Sequence, residues 1–273
     1  MKLRLITAAA AIPVMLVILL AAPKAVAAII WGLCLAIGAY EMLFRTGLVT
    51  EPRLVIYACV MAFAVTMWSF FGAIHSYAIL GILLFVVVYF SEMMLSHVKI
   101  TFDKVAMCFF AGLLVPFLLS SLIRILGMKI GRYLVLIPFI VAFISDSGAY
   151  FAGRYFGQRK LAPVISQHKT VEGAIGGVVA TMAGMLLYAL ILDLPFAPFN
   201  FNVNYLYAIL YGLVGSVAGI FGDLCFSVVK RQTGIKDYGN LIPGHGGVLD
   251  RFDSMMMVAP LLEALMLLIP MVS

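Results

Sequence analysis

The sequence predicts an all-α, polytopic membrane protein, on three observations. Of its 273 residues, 64% are hydrophobic and 11% are charged. Mean hydropathy is +1.14. Apolar runs of about 20 residues recur from end to end, each long enough to cross a hydrocarbon core of about 30 Å as a helix. No soluble core absorbs that much apolar sequence.

In chain order the expected spans are 4–22, 25–44, 54–74, 77–96, 105–125, 132–153, 172–192, 205–229 and 254–272, about nine in all. The first needs a separate argument, because M-K-L-R, an apolar run and A-V-A at Ala25 to Ala27 imitate a secretory signal. The run is long for a signal and a second span follows at once, so an uncleaved span is expected. Spans two to five carry few intramembrane charges. Glu41 and Glu92 lie near span ends, where they can reach the interface as structural residues. The sixth span holds Asp146 in F-I-S-D-S-G-A-Y-F-A-G-R-Y-F-G. The seventh opens after Thr170, a candidate cap, with Glu172 in its first turn. The eighth carries Asp223 near its end, after Gly215, Gly219 and Gly222, whose spacing suits close helix packing. The ninth holds Glu263 deep in the span, where pairing across helices or subunits is expected.

Lys and Arg divide unevenly between alternate loops: 14 of the 18 fall on one face. Positive residues are retained in the cytoplasm, which places the N-terminus and the loop 230–253 there and the C-terminus outside. A net charge of +6 favours anionic headgroups or nucleotide phosphates on that leaflet, and no nucleic-acid partner is expected. Cys34, Cys59, Cys108 and Cys225 lie in apolar runs without C-x-x-C spacing, which speaks against disulfides or zinc. Without repeats or linkers the chain reads as a single membrane domain, 1–273, in which 1–132 is mainly scaffold helices and 133–273 carries catalytic helices and cytoplasmic loops.

Chemistry concentrates between Ser227 and Asp253, S-V-V-K-R-Q-T-G-I-K-D-Y-G-N-L-I-P-G-H-G-G-V-L-D-R-F-D, with three Asp, two Lys, two Arg, one His and five Gly. Desolvating so many polar groups at a membrane face is costly unless a ligand or ion pairs them. On a helix, Ser227 and Lys230 share the face of Asp223. Pro243 to Gly247 forms a turn whose amides can face an anion, with His245 either shaping it or stabilising it by a hydrogen bond. Asp250 and Asp253, three apart, would share a helical face. Carboxylates unaccompanied by His or Cys at ligand spacing suit magnesium better than zinc. Lys230, Arg231, Lys236 and Arg251 suit the phosphates such an ion accompanies. In Gly157 to Gly177, Lys169 and Thr170 form a second candidate phosphate cradle at a helix N-terminus, or else an ordinary cap.

These residues resemble the signature of the phosphatidate cytidylyltransferases, or CDP-diacylglycerol synthases: S-x-hydrophobic-K-R-x4-K-D-x-small-x2-hydrophobic-P-x-H-G-G-hydrophobic-x-D-R-hydrophobic-D. Ser227, Lys230, Arg231, Lys236, Asp237, Gly239, Ile242, Pro243, His245, Gly246, Gly247, Asp250, Arg251 and Asp253 fill it without a departure. The segment from Asp146 and K-T-V-E-G from Lys169 are also similar to the family's pattern. The resemblance implies magnesium-dependent transfer of a cytidylyl group from CTP to phosphatidic acid, giving CDP-diacylglycerol and pyrophosphate, at the cytoplasmic face of the cell membrane and in a homodimer. A second metal ion or a monovalent cation beside magnesium is left open.

On that reading Asp223 and Asp250 hold the metal, with Asp146 and Asp253 as further ligands or orienting groups. Lys230, Arg231, Lys236 and Arg251 neutralise phosphate, with Asp237 beside them in the signature. His245, Gly246 and Gly247 shape the nucleotide pocket, bordered by Ser227, and Lys169 and Thr170 close it. Two rivals stay in view: a CTP-dependent polyprenol or dolichol-type lipid kinase, which attacks the gamma phosphorus and releases CDP, and an ion-coupled secondary transporter.

Overall fold

The computed structural model describes residues 17–72, 75–97, 99–194, 202–241 and 246–272. Among them seven helices are long and apolar enough to cross a membrane: Lys24–Arg45, Pro52–Phe71, Tyr77–Leu95, Phe102–Gly127, Gly131–Phe156, Val171–Leu192 and Tyr205–Gln232. They fall on the second to eighth expected spans with boundaries moved by a few residues. The expected first span, 4–22, lies almost wholly outside the described residues. The last, expected over 254–272, is a helix of 14 residues, Met255–Leu268. At 1.5 Å per residue it covers about 21 Å, less than a hydrocarbon core.

The chain divides into two compact units, Met1–Arg132 with Lys230–Phe252, and Tyr133–Val229 with Asp253–Ser273. In the first, α1 (Lys24–Tyr40) runs directly into a π-helical turn, Glu41–Arg45. Helix α2 (Pro52–Phe71) starts with proline in its first turn and stops at Gly72, whose φ of 56° is the left-handed conformation that glycine adopts without penalty. Helix α3 is His75–Leu95. The next span is broken into α4 (Phe102–Phe109), a π-helical turn, α5 (Val115–Leu119) and α6 (Ser121–Gly127). Gly112 in that π turn lies against α2, where a Cβ would stand 2.8 Å from the Ala58 carbonyl oxygen. The indole of Trp31 donates to the Leu119 carbonyl at 3.1 Å, closing the core of this unit. Glu92 accepts a hydrogen bond from the Tyr57 hydroxyl at 3.0 Å, a structural tie between α3 and α2.

The second unit is built around α8 (Leu136–Phe156), preceded by the single turn α7 (Gly131–Leu134) at the border, and α9 (Val171–Leu192). Small residues face each other along both helices. A Cβ on Gly148 would lie 2.6 Å from that of Ala180, and one on Gly173 or Gly177 would lie 2.8 Å from the backbone oxygen of Ala149 or Ser145. Such backbone approach supplies the van der Waals contact that holds helices together where lipid removes the hydrophobic incentive. The glycines of α10 (Tyr205–Gln232) serve the same end: a Cβ on Gly215 would meet Val141 at 2.8 Å, and one on Gly222 the carbonyl oxygens of Asp253 and Ser254 at 3.0 Å. Ser145 and Ser216 hydroxyls bond at 2.9 Å within this packing.

Between α8 and α9 the sequence reading expects only a loop, and the structure adds a two-stranded antiparallel hairpin, β1 (Lys160–Ala162) and β2 (Ser166–Thr170). Its base is tied by Glu172, whose carboxylate accepts from the backbone N–H of Gln158 at 3.0 Å and of Arg159 at 3.1 Å. The four cysteines are free thiols.

Candidate functional site

In the second unit the hairpin delivers Lys169 to Asp223. The ammonium lies 2.5 Å from Oδ2, with both side chains about a quarter exposed. One turn further along α10, the Ser227 hydroxyl donates to Asp223 Oδ1 at 3.3 Å, the i,i+4 contact that the spacing predicts. Thr170, the residue after Lys169, caps α9: its buried hydroxyl oxygen accepts from the Gly173 N–H at 3.1 Å. Gly153 and Gly157 press on that hydroxyl, each leaving 2.9 Å between it and a hypothetical Cβ. Lys169 is therefore aimed by a capped helix on one side and a hairpin on the other. Asp146 lies exposed on α8. Asp253, half-buried, accepts from the Ser254 N–H at 2.9 Å.

The first unit holds the other half of the signature. Lys230 pairs with Asp250, its ammonium 2.8 Å from Oδ1, with side-chain exposures of 12% and 1%. Oδ2 of Asp250 accepts two backbone bonds, from Tyr238 N–H at 2.8 Å and Gly247 N–H at 2.9 Å. The same ammonium stands 5.2 Å from the centre of the Tyr238 ring. One buried carboxylate thus fastens the end of α10, the loop at Tyr238 and the glycine turn. Gly246 takes a φ of 84°, where an L side chain is strained, and a Cβ there would also stand 2.9 Å from Asp250 Oδ2.

One expectation changes. Asp250 and Asp253 do not share a helical face, because Asp250 sits in a short 3-10 turn, Leu249–Arg251, and Phe252 leaves helical geometry at φ −121°, ψ 13° before the last helix begins. Of the turn expected to turn its amides toward an anion, Gly247 does so within the chain, donating to the Asp250 carboxylate. Lys230 lies on the same helix as Asp223 and Ser227, as the spacing predicts, and its ammonium is engaged by Asp250. Arg231, Lys236, Asp237 and Arg251 are exposed. Pro243 and His245 lie outside the described residues.

Glu41 is the residue that the sequence reading undervalues. It is 3% exposed. Oε1 accepts from Val248 N–H at 3.1 Å and Oε2 from Leu249 N–H at 3.0 Å. Gly239 and Gly247 both lie so close that a Cβ on either would collide with its carboxylate. Leu249 continues the contact against Gly38 and Phe252 against Trp31, with ring centroids 4.7 Å apart, so the signature segment lies along α1.

Among the described residues no three His, Cys, Asp or Glu side chains form a group able to hold a metal ion. The donors present are carboxylate and hydroxyl oxygens, the hard ligands that magnesium takes, and magnesium is usually held by one or two carboxylates together with substrate phosphates and water.

The chain is 40% identical to a phosphatidate cytidylyltransferase of Bacillus subtilis (strain 168) over 169 residues, 62% of this chain and 60% of the relative. It is 42% identical to the enzyme of that name from Staphylococcus haemolyticus (strain JCSC1435) and 44% to that from Staphylococcus aureus (strain COL), each over 137 residues and half of either chain. The chain thus spans about half to three fifths of the length of these relatives. A family model described as the cytidylyltransferase family matches residues 2–269. With the span order, the signature segment and both carboxylate–lysine pairs inside that match, the chain belongs to the cytidylyltransferase family.

Proposed function

We propose that this chain transfers the cytidylyl group of CTP to phosphatidic acid, releasing pyrophosphate and forming CDP-diacylglycerol for phospholipid synthesis. The observation that carries the reading is the Lys230–Asp250 pair, which fixes a basic, glycine-turned segment at the end of a membrane helix. A lipid phosphate oxygen attacks the alpha phosphorus of CTP; a P–O bond forms, the bond to the bridging oxygen breaks, and its electron pair leaves with pyrophosphate. Phosphatidate is already an anionic nucleophile near neutral pH, so the barrier lies in bringing two negative phosphates together, which calls for fixed cations.

Lys169, Lys230, Arg231, Lys236 and Arg251 are the cations proposed for that task, and Asp237 with the His245–Gly247 segment borders the nucleotide. Asp223 and Asp250 are proposed as metal carboxylates, with Asp146 and Asp253 as further ligands or orienting groups and Ser227 and Thr170 as supports. Magnesium, when bound, supplies charge neutralisation of the triphosphate. The reading includes nine crossings, counting 4–22 and the short Met255–Leu268 helix with the seven long ones. It also includes a cytoplasmic N-terminus, a site at the cytoplasmic face of the cell membrane, and a homodimer.

The test is an assay in detergent micelles with CTP labelled at the alpha phosphate, phosphatidic acid and magnesium. Label entering the lipid phase with an equal yield of pyrophosphate is the expected result. Release of CDP in place of pyrophosphate would mean a lipid kinase and overturn the proposal.

A further inference from the structure

We infer that Glu41, in the part of the chain that sequence reasoning assigns to scaffold, is a positioning residue for the signature turn; the inference rests on the function proposed above. Three successive backbone N–H groups in that turn are claimed by carboxylates: Gly247 by Asp250, Val248 and Leu249 by Glu41. Two acids of opposite origin, one from the turn itself and one from the π turn that ends α1, therefore fix a single strip of backbone. Each Glu41 oxygen meets one donor, a match that a carboxylate makes and a carboxamide does not, because one end of Gln carries hydrogens that would face an N–H.

The fit is also steric. Gly239 and Gly247 close on the carboxylate without room for a Cβ, so the pocket is shaped to this side chain. Glu41 lies where α1 gives way to the wider π turn, Glu41–Arg45, a helix irregularity often found at functional positions. What Glu41 positions is Asp250. The Val248 and Leu249 amides directly precede Asp250 in the chain, and Asp250 holds Lys230 through its other oxygen. Glu41 touches no reacting atom on this account; it sets the backbone from which Asp250 and Lys230 work.

The decisive comparison is Glu41→Gln against wild type in the full-length protein, normalised to folded protein by gel filtration, with kcat and KM for CTP measured separately. Loss of a group that orients a functional shell commonly costs about 10- to 100-fold, and the drop is expected in kcat, with KM for CTP changed by less than about threefold. Amide hydrogen exchange is the second readout: the peptide over 246–252 should exchange faster in the variant, while peptides in Pro52–Phe71 stay unchanged. Gly239→Ala, which crowds the same carboxylate from the other side, should reproduce both effects if Glu41→Gln folds poorly. A kcat within twofold of wild type, with or without faster exchange, would overturn the positioning role, as would a lowered kcat with unchanged exchange at 246–252. If the wild-type protein itself turned over no CTP, the functional reading would fall, and the exchange measurement alone would decide whether Glu41 anchors the turn.

Discussion

Lys169 Nζ stands 2.5 Å from Asp223 Oδ2, bringing the end of the basic hairpin to the polar end of α10. The contact joins two segments that the sequence marks separately, K-T-V-E-G and the approach to the signature. An ion pair whose side chains are still about a quarter exposed contributes little to stability, about 0–1 kcal/mol, so its importance is expected in activity.

Asp223→Asn and Lys169→Met should each lower CTP-dependent product formation by about 100-fold or more, with melting temperatures near wild type. Because the two groups act on one location, the double variant should be no worse than the poorer single one. Steady-state rates for all four proteins provide the check; losses that multiply would separate the two residues.

Asp250 is expected to behave differently. With a side chain 1% exposed and three bonds to the protein, its replacement leaves Lys230 and two backbone donors without their acceptor. Asp250→Ala should cost about 3 kcal/mol in unfolding free energy, as removal of one partner from a buried pair does, in addition to activity. Reversible unfolding in detergent, followed by tryptophan fluorescence, measures the loss, and less than about 1 kcal/mol would contradict the buried arrangement.

Gly246 and Gly234 form a natural control pair. Both have positive φ, 84° and 70°, but a Cβ at Gly234 meets nothing within 4 Å whereas one at Gly246 meets Asp250. Gly234→Ala should cost about 1–2 kcal/mol from backbone strain alone and keep its turnover. Gly246→Ala should lose more stability and most of its activity. Parallel denaturation and turnover assays distinguish the two positions.

The α8–α9 contact predicts a rescue. Gly148→Ala places a methyl against Ala180 and should destabilise the protein by about 1–3 kcal/mol through overpacking. Ala180→Gly in the same chain removes the methyl that is struck and should restore much of the loss. Thermal unfolding of the single and double variants in one detergent gives the answer.

The parts legible from sequence were those written locally. Apolar runs gave seven long helices, because length and hydropathy alone determine a span. The Asp223–Ser227 contact followed from helical spacing and the Thr170 cap from residue type before a helical run. Contacts between distant segments left no such mark. Nothing near Asp250 identifies Tyr238 as its donor, and the hairpin from Lys160 to Thr170 has strands too short for alternation to register, being tied instead by Glu172. For Glu41 the one available signal was an acid in the last turn of an otherwise uncharged span. That signal also fits an interfacial residue, and only the buried amides of Val248 and Leu249 distinguish the two.

The distance along the chain between Glu41 and its partners also has a consequence for biogenesis. The carboxylate lies 207 residues ahead of Val248, so α1 is synthesised and delivered to the bilayer long before its acceptor oxygens meet a donor from the turn. Placement in the final turn of the helix keeps that waiting carboxylate near water, where its solvation is retained. The signature turn closes on it only after Val248 and Leu249 have been made, more than 200 residues later, so this acid pocket assembles after the helix that supplies its acid. A nascent chain halted before Val248 would carry the seven long spans found among the described residues and no anchored turn.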